Sequence, residues 1–300
     1  MIQIIYLAYG IGCGILSAGI AICSKLMTPS IPALLKVFLR FSIGGACLLP
    51  FLSRAEFNKV TRRQVLLFIA MGLTLVVMFN FLFFSALKYI DPMTSSLILS
   101  AQPLVTLTAS AILFGHLPTK RVLIGFLVAF SGVALVITKG QMSWDVLSGS
   151  IGEFLMLSAV VSQVAYTLIL RNMGAHFSAQ FITFSASASG LLLLLPFIAN
   201  SANVTALSGF TVTDWLCISY IGIIGTSVGA VLFSLAIKHL GPALGSLVVF
   251  SALPVTTLVY SCIVGQTPST IEILGSILVL VGLVLGVDRK KKIQNVTLVE

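Results

Sequence analysis

The stretch Ala86-Leu-Lys88-Tyr-Ile-Asp-Pro92 returns later in the chain as Ala236-Ile-Lys238-His-Leu-Gly-Pro242, and subtracting 88 from 238 gives an offset of 150. The correspondence extends outward to further pairs at the same offset: Gly72 and Gly222, Ser96 and Ser246, Gly115 and Gly265, Pro118 and Pro268, Gly125 and Gly275, and Gly132 and Gly282. The Ser-Ala-x-Pro element that ends at Pro103 and at Pro254 is offset by 151, as a local, compensated slip of one residue would leave it. A constant offset through many Gly, Pro and Lys positions predicts two copies of one structural unit.

Composition predicts an all-α integral membrane protein. The chain is 58% hydrophobic and 8% charged, with a mean hydropathy of +1.13, whereas a soluble domain carries roughly 25% charged residues. Apolar runs of roughly 20 residues recur along it, each long enough to cross a hydrocarbon core of ~30 Å. The formal charge of +9 comes without a basic patch interleaved with aromatic residues, so we expect the lipid bilayer, and not nucleic acid, as a partner.

Ten transmembrane helices are predicted, five in each copy, with short loops punctuated by Pro and Gly. Their approximate ranges are 3–24, 31–52, 64–87, 93–114, 120–138, 150–171, 177–198, 214–237, 243–264 and 270–288. The chain is thereby divided into a first five-helix repeat (1–139), an outer linker (140–149), a second five-helix repeat (150–288) and a basic cytoplasmic tail (289–300).

The distribution of Lys and Arg predicts the orientation of these helices. With the N-terminus inside, the cytoplasmic segments hold 12 of the 17 basic residues and the outer loops hold 3. The remaining two, Lys36 and Arg40, lie within the second helix. This asymmetry predicts that both termini are cytoplasmic.

The odd number of helices in each copy has a topological consequence. The second copy must enter the membrane from the opposite side, so that Lys88 lies outside and its counterpart Lys238 lies inside. The two copies are then inverted repeats, related by a pseudo-two-fold axis in the membrane plane. Many secondary transporters use this arrangement for alternating access around a site near the midplane.

The repeated Ala-Leu-Lys, Pro and Gly pattern resembles the EamA-type transporters of the drug/metabolite transporter superfamily, over about residues 4–138 and 150–288. The resemblance implies a carrier of the inner (plasma) membrane, commonly an exporter of amino acids or related metabolites, without ATP-binding parts or cofactors. The mid-helix position of Arg40 also resembles the family. Where the family often has an acidic residue after the glycine that closes helices 4 and 9, this chain has His116 and Gln266, so a role for that carboxylate cannot be carried over.

Ionisable groups at membrane depth are expensive, and each is therefore a candidate for the site. Lys36 and Arg40 are four residues apart on one helical face, and no acidic residue lies in their helix. Lys36 is close enough to the outer end for its ammonium group to reach the interface. Arg40 is deeper: it either binds a substrate carboxylate as a planar fork or caps carbonyl groups of a neighbouring broken helix. Glu153, near the start of the sixth helix, is a candidate for coupling to protons or cations or for a structural place at the helix N-terminus.

Uncharged polar and aromatic side chains complete the predicted substrate site, since an amide facing lipid would be left without hydrogen bonds. With Arg40, the predicted substrate-binding residues are Phe79, Asn80, Gln102, Gln163, Tyr166 and Tyr260. Hydrogen bonding between helices is the alternative role for the polar members, and packing is the alternative for Phe79. Pro103 and Pro254 interrupt matched helices, either as passive kinks or as hinges for gating.

Three other functions compete with export of a small metabolite such as an amino acid. Import or exchange would use the same fold, and a channel would require a charged ring or filter segment that is not visible. The third is an intramembrane serine hydrolase, since Gly225-Thr-Ser227-Val-Gly229 fits G-x-S-x-G. That motif lies in an apolar helix, and His116, His176 and His239 are predicted in cytoplasmic loops away from it. We therefore expect a transporter and not an enzyme, monomeric or homodimeric, without a metal site.

Overall fold

The computed structural model describes residues 9, 12–13, 16, 19–20, 23, 26–28, 31–90, 98–115, 119–138, 151–198, 207, 209–247, 250, 254 and 269–286. In these residues helix is the only regular secondary structure. The first predicted helix is represented by isolated helical positions between Tyr9 and Leu26. The calls on Pro92, His116, Tyr260, Gln266 and the tail after Gly286 fall outside the described residues.

We number ten helical elements of the described residues in chain order. They are α1 (Ala33–Leu48, continued by a 3-10 turn, Leu49–Phe51), α2 (Arg54–Phe57), α3 (Arg62–Ala86), α4 (Gln102–Phe114), α5 (Lys120–Thr138), α6 (Ile151–Met173), α7 (Ala179–Ile198), α8 (Val212–Leu240), α9 (Pro242–Leu247) and α10 (Thr270–Gly286). The short helix α2 was not predicted.

Five of these helices are long and apolar enough to cross a membrane by length and composition: Ala33–Phe51, Arg62–Ala86, Ile151–Met173, Ala179–Ile198 and Val212–Leu240. Shorter apolar helices accompany them at Ile98–Phe114 and Thr270–Leu285. Large apolar side chains lie exposed on their outer surfaces, among them Ile112, Phe154 and Leu192. Exposed apolar surface on this scale suits helices surrounded by lipid. The predicted all-α membrane architecture agrees with these helices.

Helices α5 and α10 pack closely through glycines, and their contacts are reciprocal. A Cβ placed on Gly132 would lie 2.5 Å from the carbonyl oxygen of Gly275, and one on Gly282 would lie 2.6 Å from that of Gly125. The offset of 150 maps Gly132 onto Gly282 and Gly125 onto Gly275, so each contact is the image of the other. As the numbering rises along α5 it falls along α10. The two equivalent helices are therefore antiparallel, and their interface has the self-complementary form of a two-fold contact.

A second repeated feature was not predicted: α3 and α8 each contain a π-helical segment, Leu73–Met78 and Ile221–Gly229. Adding 150 to the first range gives 223–228, which lies inside the second. A π turn shifts backbone bonding from i−4 to i−5 and frees carbonyl groups. Side chains of the same helices bond those carbonyls, as in the bond from Asn80 Nδ2 to the Leu75 oxygen (3.1 Å).

Across the repeats, α1 packs against the π segment of α8 and α3 packs against α7. Each pairing is stabilised near a helix start by a carboxylate that accepts two hydrogen bonds from the other repeat. The Thr28 amide and hydroxyl donate to Asp214 (both 2.7 Å), and the Ser178 amide and hydroxyl donate to Glu56 (2.6 and 2.8 Å). Asp214 also closes a capping box with Thr211 at the N-terminus of α8.

Candidate functional site

The centre of the site is the crossing of α1 and α8, where two glycines allow the backbones to meet. A Cβ placed on Gly44 would lie 2.9 Å from the carbonyl oxygen of Gly222, and one on Gly222 would lie 2.8 Å from Ile43 Cβ. The Ser227 hydroxyl fixes the crossing by donating to the Gly44 oxygen at 2.7 Å. Small residues at such a crossing are the usual means of close helix approach in membranes. The crossing brings the side chain of α1 residue Arg40 against α8.

Arg40 is partly buried and held on two sides. Its Nε atom donates to Thr226 Oγ1 at 3.3 Å, and its Cζ atom lies 4.8 Å from the centre of the Phe41 ring. Thr226 Oγ1 itself donates to the Ile221 carbonyl oxygen at 3.0 Å, a carbonyl of the π segment. None of the described residues accepts a hydrogen bond from the terminal Nη1 and Nη2 atoms of Arg40.

The charge of Arg40 is not balanced by any carboxylate that the structure describes. Glu56 and Asp214 accept hydrogen bonds at helix starts, and Glu272 caps Ser269 at the start of α10. Glu153 is buried in the first turn of α6, and neither it nor the other three forms an ion pair with Arg40. A cation at this depth needs a counter-charge or strong hydrogen bonds, and none of the described carboxylates supplies that counter-charge to Arg40.

The depth of the site follows from residue counts along the helices. Thr226 lies twelve residues after Asp214 in α8, and Gln163 lies twelve residues after Ile151 in α6. At a rise of 1.5 Å per residue, Thr226 is about 18 Å from Asp214 in the first turn of α8, and Gln163 is about 18 Å from the start of α6. In a hydrocarbon core of ~30 Å, that places them near the middle.

The two repeats differ at this point. Helices α1 and α7 correspond at an offset of 146, since Leu48-Leu-Pro50-Phe51 returns as Leu194-Leu-Pro196-Phe197. Arg40 therefore corresponds to Ala186 and Gly44 to Gly190, while the offset of 150 maps Thr226 onto Val76. At the equivalent crossing of α3 and α7, a Cβ placed on Gly190 would lie 2.5 Å from Val76 Cβ. The pairing of α1 and α8 thus has a cation bonded to a threonine hydroxyl, and the pairing of α3 and α7 has alanine and valine at those two positions.

Gln163 and Tyr166 lie three residues apart in α6, as predicted. The Oε1 atom of Gln163 is buried without a hydrogen-bond partner, which leaves one acceptor open. The Tyr166 ring is 2% exposed, in a core cluster with Phe68, Met71 and Leu170. Its hydroxyl lies beside Ser234 of α8. Gln163 therefore has the features of a binding residue, and Tyr166 has mainly those of a packing residue.

Asn80 and Phe79, predicted to contact substrate, are engaged with the protein itself. Both donors of the Asn80 amide bond the backbone of its own helix, at Leu75 (3.1 Å) and Val76 (2.8 Å). Phe79 stacks on Phe83 at 5.9 Å and packs on the cluster formed with α6. Sequence reasoning missed this use of Asn80 because it had not found the π segment.

Pro103 and Gln102 lie at a helix interruption. Ala101 separates the helical residues 98–100 from α4, and the Leu104 and Val105 amides donate to its carbonyl oxygen (3.0 and 3.1 Å). Pro103 is buried in the first turn of α4, where its missing N–H removes no helical bond. Gln102 beside it is partly buried, and Pro254 is helical and buried.

The serine of the G-x-S-x-G motif is used for packing. Ser227 is 2% exposed and donates to the carbonyl oxygens of Gly44 and Gly222. His239 lies in the last turn of α8, a correction to its predicted place in a loop. It is twelve residues from Ser227, or about 18 Å along the helix, too far to act as its base.

Sequence comparisons agree with the membrane architecture. The model of the EamA-like transporter family matches residues 4–138 and 150–287. Among relatives, the uncharacterized transporters YyaM and YetK of Bacillus subtilis are both 28% identical, over 81% and 90% of this chain and 80% and 83% of their own. A probable terminal-alkyne amino-acid exporter of Streptantibioticus cattleyicolor is 23% identical over 64% of this chain and 63% of its own.

A solved structure of another protein has the same fold as this chain. A solved crystal structure matches 94% of this chain and 97% of its own with a TM-score of 0.73 and 19% identity, which shows the fold alone. The family match covers the chain twice, once in each copy of the internal repeat, and the relatives named above are transporters. The chain therefore belongs to the EamA-like transporter family, within the drug/metabolite transporter superfamily, and is a multi-pass membrane protein.

Proposed function

We propose that this protein is a secondary transporter that exports a small metabolite with a free carboxylate, most simply an amino acid, by alternating access. The observation that carries the proposal is Arg40, a cation near mid-depth that is held by Thr226 and Phe41. Its terminal nitrogens form a planar fork that matches the two oxygens of a carboxylate. A transported carboxylate supplies the anion that no described residue provides.

The architecture in this proposal is ten helices in two inverted five-helix repeats, 1–139 and 150–288, joined by an outer linker. The antiparallel, reciprocal contacts of α5 and α10 support the inversion. The matched π segments of α3 and α8 support the equivalence of the two halves. With 12 basic residues on one side and 3 on the other, both termini face the cytoplasm of a plasma-membrane protein.

In the same proposal Gln163 accepts a hydrogen bond from the substrate, because its Oε1 atom is buried and unpartnered. An α-ammonium group is the donor that an amino acid would offer to it. Gln102 and Tyr260 remain proposed substrate contacts, while Tyr166, Phe79 and Asn80 support the site through their packing and their contacts within α3 and with α6. Glu153 is proposed for coupling, and Pro103 and Pro254 are proposed as hinges.

One relative also supports the proposed direction and substrate class. The Streptantibioticus cattleyicolor protein is named a probable exporter of a terminal-alkyne amino acid, and its substrate carries the carboxylate that Arg40 is suited to bind. This distant similarity supports export over import or exchange.

Transport of the standard amino acids and their carboxamides by purified protein in liposomes tests the proposal. Counterflow of labelled substrate distinguishes a carrier from a channel. We expect Arg40→Ala to raise the half-saturation concentration of amino acids by about tenfold or more, since hydrogen bonds to charged groups contribute about 1.5–3 kcal/mol. Carboxamides should be transported equally poorly by both proteins.

Lys36→Ala is the matched control, because Lys36 lies on the same helical face and its Nζ atom donates to the Thr28 carbonyl oxygen (3.3 Å) at the outer end. It should leave the half-saturation concentration unchanged. The role of Arg40 would be contradicted if both variants kept the preference for carboxylates. It would also be contradicted if both variants changed transport equally. Absence of counterflow for every amino acid would contradict the proposed function.

A further inference from the structure

The Thr226 hydroxyl has two hydrogen bonds whose directions are fixed. It has one hydrogen, which it donates to the Ile221 carbonyl oxygen at 3.0 Å. Only its lone pairs remain for Arg40, whose Nε–H donates to it at 3.3 Å. Thr226 is 3% exposed, so water does not compete for either bond. The hydroxyl is therefore a dedicated acceptor for Arg40.

This arrangement depends on the π segment of α8. In an α-helix a threonine hydroxyl bonds the carbonyl four residues earlier, as Thr183 does with Ala179 at 2.8 Å. Thr226 instead bonds the carbonyl five residues earlier, which the π turn makes available. The next residue, Ser227, bonds the Gly44 carbonyl of α1. The segment thus fixes both the acceptor and the helix that carries Arg40.

These contacts determine which edge of the guanidinium is open. The Cζ atom of Arg40 lies over the Phe41 ring and Thr226 occupies the Nε position, which leaves the edge formed by Nη1 and Nη2 without a hydrogen bond to any described residue. Two parallel N–H groups on that edge match a planar anion with two oxygens. We infer that Thr226 is a positioning residue that orients Arg40 toward a substrate carboxylate and thereby sets the preference for carboxylates over carboxamides. This inference rests on the proposed function, because it requires Arg40 to bind the substrate.

The protein itself offers the most informative substitution. Val76 stands at the position of Thr226 in the first repeat, in a π segment of the same kind, and there it packs against Gly190. Thr226→Val therefore keeps the shape that this helix accepts and removes the hydroxyl alone. Thr226→Ser keeps the hydroxyl and removes a methyl group. The two variants separate orientation of Arg40 from packing.

The experiment measures export of the standard amino acids and their carboxamides from liposomes by wild type, Thr226→Val, Thr226→Ser, Arg40→Lys and the double variant Arg40→Lys/Thr226→Val. We expect Thr226→Val to raise the half-saturation concentration of amino acids about three- to sixteenfold, with little change in maximal rate, because side-chain hydrogen bonds within membranes contribute about 0.6–1.7 kcal/mol. Thr226→Ser should stay near wild type. Carboxamide transport should not change.

If Thr226 acts through Arg40, adding Thr226→Val to Arg40→Lys should change the half-saturation concentration less than about twofold, since residues in one network are not additive. Additive effects, or equal effects on amino acids and carboxamides, would assign Thr226 a packing role and overturn the inference. A lowered melting temperature with unchanged half-saturation would overturn it as well. If Arg40→Ala leaves the carboxylate preference intact, the role of Arg40 in the proposed function fails, whatever Thr226→Val does.

Discussion

Two adjacent glycines of α1 allow the crossing that holds Arg40 to be tested by stability. Gly44 faces α8, where an added Cβ would lie 2.9 Å from both the Gly222 carbonyl oxygen and Thr226 Cγ2. Gly45 faces α7 with room to spare, since its added Cβ would lie 3.9 Å from Ser187 Cβ. Carbon atoms pack best at about 3.5–4.0 Å, so Gly44→Ala must move α1 or Thr226 by about 0.6 Å or more.

The expected magnitude follows from comparing the two variants. Alanine in a helix interior is favoured over glycine by about 0.5–1 kcal/mol, and this gain is shared by Gly44→Ala and Gly45→Ala. Overpacking costs typically about 1–3 kcal/mol and applies only to Gly44→Ala. The difference between the free energies of unfolding should therefore be about 1–3 kcal/mol, with Gly45→Ala the more stable.

Equilibrium unfolding of the purified variants in mild detergent, by titration with SDS, measures that difference. Amino-acid transport by the same preparations gives a second readout, because displacing Thr226 also disturbs its bond to Arg40. We expect Gly44→Ala to raise the half-saturation concentration and Gly45→Ala to leave it unchanged. Equal stabilities of the two variants would refute the close approach of α1 and α8.

Two further predictions concern the repeat and the π segment of α3. Gly132→Ala and Gly282→Ala should destabilise the protein by similar amounts, about 1–3 kcal/mol, because their contacts are images of each other. The same unfolding titration measures both variants. A loss of stability in only one of them would contradict the reciprocal interface. Asn80→Ala should lower the unfolding free energy by about 1–3 kcal/mol, because it removes the side-chain bonds to buried carbonyl groups. The half-saturation concentration of amino acids should not change. A rise in the half-saturation concentration without a loss of stability would show that Asn80 contacts the substrate.

Much of the helical framework could be predicted because local composition determines it. Apolar runs and the Pro and Gly residues between them placed the second helix at 31–52, and the structure has Ala33–Phe51. The π segments could not be predicted in this way. One extra residue in a turn hardly changes an apolar pattern, and the segment forms because distant side chains and its own Thr226 and Asn80 satisfy the carbonyls that it frees.

Arg40 could be found from the sequence because a charge in a membrane helix is costly wherever it lies. Its partner could not, since Thr226 is 186 residues away and has no local signal. A comparison of the two repeats would have found both. Arg40 aligns with Ala186 at the offset of 146 that relates α1 to α7, and Thr226 aligns with Val76 at the offset of 150. A polar residue in one copy with an apolar counterpart in the other marks a position where the copies have diverged.

The two repeats differ at Arg40 and Thr226 but share scaffold contacts, a combination that alternating access would favour. If two inverted repeats were identical, exchanging their conformations would convert the outward-open state into the inward-open state at no cost in free energy. In such a cycle, scaffold contacts that the two repeats share, such as the reciprocal glycines of α5 and α10, would keep the two states close in energy, and a ligand could then shift populations that differ by only a few kcal/mol. A substrate has no two-fold symmetry, so its binding groups must break the symmetry of the repeats. Arg40 and Thr226 break it at mid-depth, where a site must be reachable from both sides, while the apolar contact of Gly190 and Val76 keeps the equivalent crossing closed.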